Sequence, residues 1–244
     1  MVLNILKIRK SNERFKSNRA WLDSKHSFSF AEHCDPLWDN FGKIRVINED
    51  IISPGSGFST HSHSNMEIVT IVIKGEITHR DSLNNCGIIC EDEVQVMSAG
   101  TGISHSEKNE NNIDCKLFQI WIYPDIQNLK PSYNKMSIKN ISGNNLIIDS
   151  LKKNKSLLCI NQDISIWRCK YNGLNQKCLP YEIKNFNWIQ IIEGDLLIRD
   201  KNNKTIKYLS SGDGLGFEIS DFSDIEIESD TEVDLLLFSM PNIY

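Results

Sequence analysis

The stretch Gly55-Ser56-Gly57-Phe58-Ser59-Thr60-His61-Ser62-His63 decides how this chain is read, together with its counterpart Gly100-Thr101-Gly102-Ile103-Ser104-His105-Ser106-Glu107. Each opens on a glycine-bearing turn and ends in two metal-ligating residue types spaced two apart. In a β-strand the side chains of residues i and i+2 leave the same face. His61 with His63, and His105 with Glu107, are therefore each able to aim two donor atoms into one interior. Three imidazoles and a carboxylate make a mixed nitrogen and oxygen set, suited to a first-row divalent ion with open positions. Glu67 lies four residues after His63, so on a continuous strand it would share that face. Spacing alone leaves Glu67 and Glu107 both open, as ligand or as the group that orients one.

Outward from these motifs the pattern is that of short strands. Ile68-Val69-Thr70-Ile71-Val72-Ile73 is a β-branched run ended by Lys74-Gly75-Glu76, which reads as a buried strand and a turn. Further strands are expected at 28–30, 43–48, 87–90, 94–97 and 117–123, separated by turn residues at the spacing of a sandwich or barrel. From 124 to 155 Pro, Asn, Lys and Ser replace the strand pattern, which places a domain junction there. Strands resume at 164–169, 188–192, 196–198, 224–227 and 233–238.

The two halves share a pattern. Val72-Ile73-Lys74-Gly75-Glu76-Ile77-Thr78-His79-Arg80-Asp81 aligns without a gap on Ile191-Ile192-Glu193-Gly194-Asp195-Leu196-Leu197-Ile198-Arg199-Asp200. A strand, a glycine turn, a strand and an aspartate occurring twice imply two copies of one β-fold. All six histidines (His26, His33, His61, His63, His79, His105) fall in the first half. At the repeat offset Pro180 and Glu182 stand where His61 and His63 were, so the second half lacks an imidazole site. His26, His33 and His79 are single histidines, for which hydrogen bonding is sufficient explanation.

With 244 residues, 40% hydrophobic and 24% charged, the composition is that of a soluble globular protein. A net charge of −5 gives no pull toward nucleic acid or an anionic membrane. The short basic groups (Lys7, Arg9, Lys10; Lys152, Lys153, Lys155) read as solvated surface. Seven cysteines with no C-x-x-C pair point to free thiols in a reducing compartment. No export signal or membrane-length apolar run is visible, so a cytoplasmic location is expected.

Gly55-x5-His61-x-His63-x3-Glu67 resembles the first cupin motif, and Gly102-x2-His105-x3-Asn109 the second. Trp21-Leu22-Asp23-Ser24, Phe28-Ser29-Phe30, Arg45-Val46-Ile47-Asn48-Glu49-Asp50, Met66-Glu67-Ile68-Val69-Thr70, His79-Arg80-Asp81-Ser82, Gln95-Val96-Met97-Ser98-Ala99-Gly100-Thr101-Gly102 and Gln119-Ile120-Trp121-Ile122 are similar, in order, to segments of the pirin family. The likeness is dense over residues 15–135 and thin beyond. Glu91-Asp92-Glu93 departs from the family's usual Pro-Gly-Asp turn, and no histidine precedes Trp21 at Arg19-Ala20.

The resemblance implies an all-β bicupin, two stacked antiparallel β-barrels (double-stranded β-helices) with little helix. Residues 1–136 would form the metal-binding N-terminal cupin domain, and 137–244 a C-terminal cupin domain without a metal site. It implies His61, His63, His105 and Glu107 as ligands of one divalent ion, Fe(II) foremost, with Mn, Co, Ni, Cu or Zn as other occupants. Glu67 and Asn109 are left behind them as supporting or alternative positions. Bacterial pirins resemble quercetin 2,3-dioxygenases, which implies an aromatic enol and O2 as reactants and Glu107, or else Glu67, as general base. Animal members are linked to transcriptional coregulation, so a non-catalytic, metal-responsive binding protein with a protein partner is the competing expectation. A monomer is expected rather than an oligomer.

Overall fold

The computed structural model describes residues 3–138, 142–150, 157–177, 179–180, 183–200, 206–219 and 225–241. Lys152, Lys153, Lys155 and Glu182, named above, lie outside these described residues, as do Cys178, one of the seven cysteines, and Asp224, the first residue of the strand expected at 224–227. Helix is confined, among the described residues, to the single turns Ser11–Glu13 and Pro36–Trp38. Among the described residues no helix is long and apolar enough to cross a membrane.

The strands run in chain order from β1 (Leu3–Arg9) through β2 (Phe15–Arg19), β3 (Leu22–His26), β4 (Ile44–Ile52), β5 (Gly57–His63) and β6 (Glu67–Lys74). They continue with β7 (Glu76–Asp81), β8 (Cys86–Cys90), β9 (Glu93–Ser98), β10 (Ile103–Lys108), β11 (Cys115–Ile122) and β12 (Ser132–Ser137). After them come β13 (Gly143–Ser150), β14 (Leu158–Ile160), β15 (Ser165–Lys177) and β16 (Phe186–Glu193). The chain ends on β17 (Asp195–Asp200), β18 (Ile206–Ser210), β19 (Gly214–Ile219) and β20 (Ile225–Met240).

Two compact units result. One comprises Arg14–Ile138 with Ser150–Gln162, the other Met1–Glu13, Lys139–Asp149 and Asp163–Tyr244. A single cut at 136/137 does not describe them, because β1 pairs antiparallel with β19 and so groups with the later strands. The first unit has a four-stranded sheet, β5-β10-β7-β8, and a seven-stranded sheet, β12-β9-β6-β11-β4-β3-β2. Ile77 and Ile89 of the smaller sheet pack with Leu22, Ile52, Val72, Cys115 and Leu117 of the larger, which closes the two on one core. In the second unit β16 lies between β19 and β20, β15 joins β20 to β13, and β17 pairs with β18 and β20.

The repeat is visible as structure. Both aligned segments form strand–glycine–strand hairpins, β6–β7 and β16–β17. Gly75 takes φ +79° with a Cβ position 2.8 Å from the Asp114 carbonyl oxygen, and Gly194 takes φ +86° with that position 2.1 Å from the Glu232 carbonyl oxygen. Each glycine thus lets the backbone of the neighbouring strand come closer than any side chain permits. The same hairpin carries different interiors. Thr70 and His79 of the first unit correspond to Ile189 and Ile198, both at 0% exposure in the second unit's apolar cluster.

Three expectations were read differently by the chain. The 124–155 segment is not strand-free, since β12 and β13 lie in it. The polar face of β12, an edge strand, hid its periodicity. Phe28 is buried at 1% exposure, but the strand ends at His26 and Phe30 only bridges to His33 around Ala31, whose φ is +50°. The two expected strands at 224–227 and 233–238 are one, β20.

The glycine argument predicts a graded pair of substitutions. Gly143 has φ +82° and nothing within 4 Å of its Cβ position, so Gly143→Ala carries backbone strain alone, about 1 kcal/mol. Gly194→Ala adds a collision with backbone, and thermal melts should show a clearly larger loss of Tm for it than for Gly143→Ala.

Candidate metal centre and its cavity

Strand β10 lies between β5 and β7, and its register sets the site. His105 stands opposite His61 on β5 and Asp81 on β7, while Glu107 stands opposite Phe58 and His79. The β5 side spends one more residue than β10 between these pairs, a bulge at Ser59-Thr60. Gly57 permits it, for a Cβ there would lie 2.3 Å from the Glu107 carbonyl oxygen.

The structure brings His61, His63 and His105 together, with one nitrogen of each within 4.8 Å of the others. Their ring centroids are 4.5 to 5.0 Å apart. His61 Nδ1 donates to the Ser59 carbonyl oxygen at 2.8 Å, which leaves Nε2 as the free acceptor nitrogen. His105 is 2% exposed, and neither of its ring nitrogens has a protein partner. Burial, then the neighbouring His105 and His61 rings, pushes His63 down to about 4. Burial and the His61 and His79 rings push His105 down to about 3. Neutral rings with orphaned, converging nitrogens are the donors a divalent cation takes, so the residues fit a metal.

Glu107 approaches from the side. Thr70 Oγ1 donates to its Oε1 at 3.0 Å, Gln95 Nε2 donates to the same oxygen, and Gln119 Nε2 donates to Oε2 at 2.7 Å. These bonds hold the carboxylate toward the larger sheet. It therefore groups with His79 and His105 within 4.8 Å, not with all three of the other imidazoles. His79, read from sequence as a structural histidine, belongs to this interior. It is fully buried, donates from Nε2 to Asp81 Oδ2 at 3.2 Å, stacks on Tyr133 at 4.4 Å and leaves Nδ1 unpartnered.

Glu67 and Asn109 sit elsewhere. The four-residue step from His63 crosses a turn at Asn65, φ +50°, and enters β6 in the other sheet. Three residues from Thr70, Glu67 faces the opposite side of that sheet. Its carboxylate accepts from Ser98 Oγ at 2.5 Å and Asn161 Nδ2 at 3.0 Å. Asn109 clamps its loop, donating to the carbonyls of Ile52 at 2.9 Å and Ile113 at 2.7 Å and accepting from Asn111 N at 3.1 Å. Thr70, Gln95 and Gln119 were missed from sequence. The available signal was a polar side chain inside an apolar strand, as at Thr70 within Ile68-Val69-Thr70-Ile71-Val72.

A cavity of about 500 Å³ opens on His61, His63 and Glu107, within the range of small-molecule sites. Trp21, Phe30, Phe58 and Trp121 wall it. Trp121 meets His63 edge-on at 4.9 Å and Phe30 at 5.4 Å, while Trp21 meets Phe58 at 5.3 Å. His26 and Asp50 also line it. Burial pushes the Asp50 carboxyl up to about 7; Glu107 and Glu49 add to this, against the Ser24 hydroxyl and Arg14.

A raised carboxyl makes the folded state hold a proton that the unfolded chain releases near 3.8, so this group costs stability as pH climbs from 3.8 toward about 7. Asp50→Asn removes that titration. Its Tm advantage over the wild type should widen by several degrees between pH 5 and pH 8, on the scale of about 2 kcal/mol. A gap independent of pH contradicts the buried-carboxyl account.

With this geometry in view, the comparisons with known proteins are direct. The Pirin family profile matches residues 7–122, and that of the quercetinase C-terminal cupin domain matches residues 147–240. A protein of Escherichia coli (strain K12) named quercetin 2,3-dioxygenase is 36% identical over 237 residues, covering 97% of this chain and 99% of its own length. The crystal structure of the Escherichia coli pirin YhhW in complex with nickel(II) superposes with a TM-score of 0.86 at 36% identity, over 97% of this chain and 99% of that one. A quercetin 2,3-dioxygenase structure from Acinetobacter baumannii shares the fold at a TM-score of 0.72 and 18% identity, over 99% of this chain and 88% of that one. The all-β bicupin architecture, the histidine-bearing interior of one unit only and full-length relatedness agree, and the chain belongs to the pirin family.

Proposed function

We propose that this chain is a metal-dependent dioxygenase that opens a flavonol-type, quercetin-like enol with O2. One observation carries the reading: three imidazoles converge, His105 with neither ring nitrogen partnered, beside an aromatic-walled cavity large enough for a flat, multi-ring ligand. The name of the Escherichia coli relative and the nickel(II) held by the Escherichia coli pirin support it. His61, His63, His105 and Glu107 would hold one divalent ion, Fe(II) on this reading. Such an ion supplies Lewis-acid activation of the enol hydroxyl and redox chemistry toward dioxygen.

The chain's own residues do the rest. The Ser59 carbonyl fixes the His61 tautomer, as carbonyl partners do for ligating imidazoles. A carboxylate offers about four acceptor positions, and Thr70, Gln95 and Gln119 occupy three of those on Glu107. The single position left on Oε2 would serve either the ion or the enol proton, not both at once, and Glu107 acts as general base where the ion does not occupy it. Trp21, Phe30, Phe58 and Trp121 hold the rings of the substrate and keep water from the reacting carbon. Glu67 has no part in this, being bonded on the far face of its sheet. The same reading places the chain in the cytoplasm, acting on a small molecule rather than on nucleic acid or membrane.

Aerobic Fe(II)-loaded protein should bleach the visible absorption of quercetin while consuming oxygen. Glu107→Gln should lower kcat at least about a hundredfold, as expected for loss of a general base, and Glu67→Gln should stay within about threefold of wild type, a barrier change of under about 1 kcal/mol. His105→Ala should reduce bound metal well below one ion per chain. A protein that binds stoichiometric metal yet consumes no oxygen with any flavonol is a binding protein, and contradicts the proposal.

A further inference from the structure

One row of polar side chains crosses the larger sheet of the first unit. Gln95 pairs with Thr70, Thr70 with Gln119, Gln119 with Asn48 and Asn48 with His26, on β9, β6, β11, β4 and β3 in turn. All five are buried, at 7% exposure or less. Burying such groups is costly unless their hydrogen bonds are made. At one end of the row the donors are used, since Gln95 Nε2, Thr70 Oγ1 and Gln119 Nε2 all donate to Glu107, while Gln95 Oε1 accepts nothing. At the other end no carboxylate hydrogen-bonds to Asn48 or His26 among the described residues. His26 Nδ1 donates to Asn48 Oδ1 at 2.8 Å, and His26 Nε2 accepts from Ser17 Oγ at 2.9 Å. This leaves the Asn48 amide nitrogen without an acceptor among the described residues. Two residues on, and on the same face of β4, Asp50 accepts the Ser24 hydroxyl on Oδ1 and has no donor on Oδ2 among the described residues. Asn48 and Asp50 both line the cavity.

We propose that Asn48 and Asp50 are specificity-determining residues that bind a phenolic hydroxyl of the substrate, remote from its enol, between the asparagine amide and the aspartate carboxyl. This rests on the flavonol reading above and narrows it. Flavonols hydroxylated beyond the enol, such as quercetin, are favoured over 3-hydroxyflavone, which brings no further hydroxyl to this wall. Asn48 donates to the hydroxyl oxygen, and Asp50 faces its hydrogen. The aromatic walls grip either flavonol alike, so the polar pair supplies the discrimination. A buried, unpaired polar group rejects a ligand that leaves it unpaired.

The test uses the full chain loaded with metal, without oxygen, so that binding is read apart from turnover. Quercetin and 3-hydroxyflavone are titrated against tryptophan fluorescence in wild type, Asp50→Asn and Asn48→Ala, with metal content and circular dichroism checked for each. Wild type should bind quercetin at least about tenfold more tightly, the scale of one such hydrogen bond. Each variant should bring the two dissociation constants to within about threefold of each other, the remainder once that bond is lost. Asp50→Asn keeps the shape of the side chain, so it reports even where Asn48→Ala fails to fold. Equal affinities in wild type, the result if water alone satisfies the pair, overturn the inference; so does an unchanged ratio in Asp50→Asn. A quercetin-selective protein that never consumes oxygen overturns the dioxygenase reading alone, and one that consumes oxygen with equal affinities overturns this inference alone.

Discussion

The register of β10 between β5 and β7 is the constraint on which the site depends. It puts His105 across from His61 and Glu107 across from His79, so one strand serves both edges of the donor cluster. A shift of one residue would turn the His105 and Glu107 side chains to the other face of the sheet. Gly57 and the bulge beside it hold that register, because β5 comes too near Glu107 for any side chain at that position. The candidate site therefore rests on backbone geometry first and on its side chains second.

The two units make the same hairpin serve opposite ends. In the second, Ile189 and Ile198 fill the interior and add to a large apolar cluster. In the first, Thr70 and His79 occupy the equivalent places, and burial there is tolerated because each has a partner: Glu107 for Thr70, Asp81 for His79. Burying an isoleucine contributes on the order of 1.5–3 kcal/mol. The first unit forgoes that contribution at these positions and gains a polar interior able to hold an ion beside a cavity.

Much of this was legible in the chain. The spacing of His61 and His63 and the second glycine turn before His105 pointed to three imidazoles that do meet, whereas Glu107 meets His105 and His79 instead; the gapless match around Gly75 and Gly194 pointed to the repeated hairpin. Glu67 looked equivalent to Glu107 only while the strand was taken as continuous; the turn at Asn65 sends it to another sheet. His79 looked ordinary because nothing in its own neighbourhood says that Glu107 will lie opposite it. The row from Gln95 to His26 was equally hidden, since its members are scattered along the chain and meet only through cross-strand pairing. Local patterns report faces; which faces meet is decided by long-range register.

The most direct measurement of the central claim is X-ray absorption on the protein loaded with one equivalent of zinc. The arrangement predicts a shell of nitrogen and oxygen scatterers near ~2.0–2.2 Å with the outer-ring scattering of three imidazoles. A sulfur shell near ~2.3 Å, or the signature of a single imidazole, would contradict it.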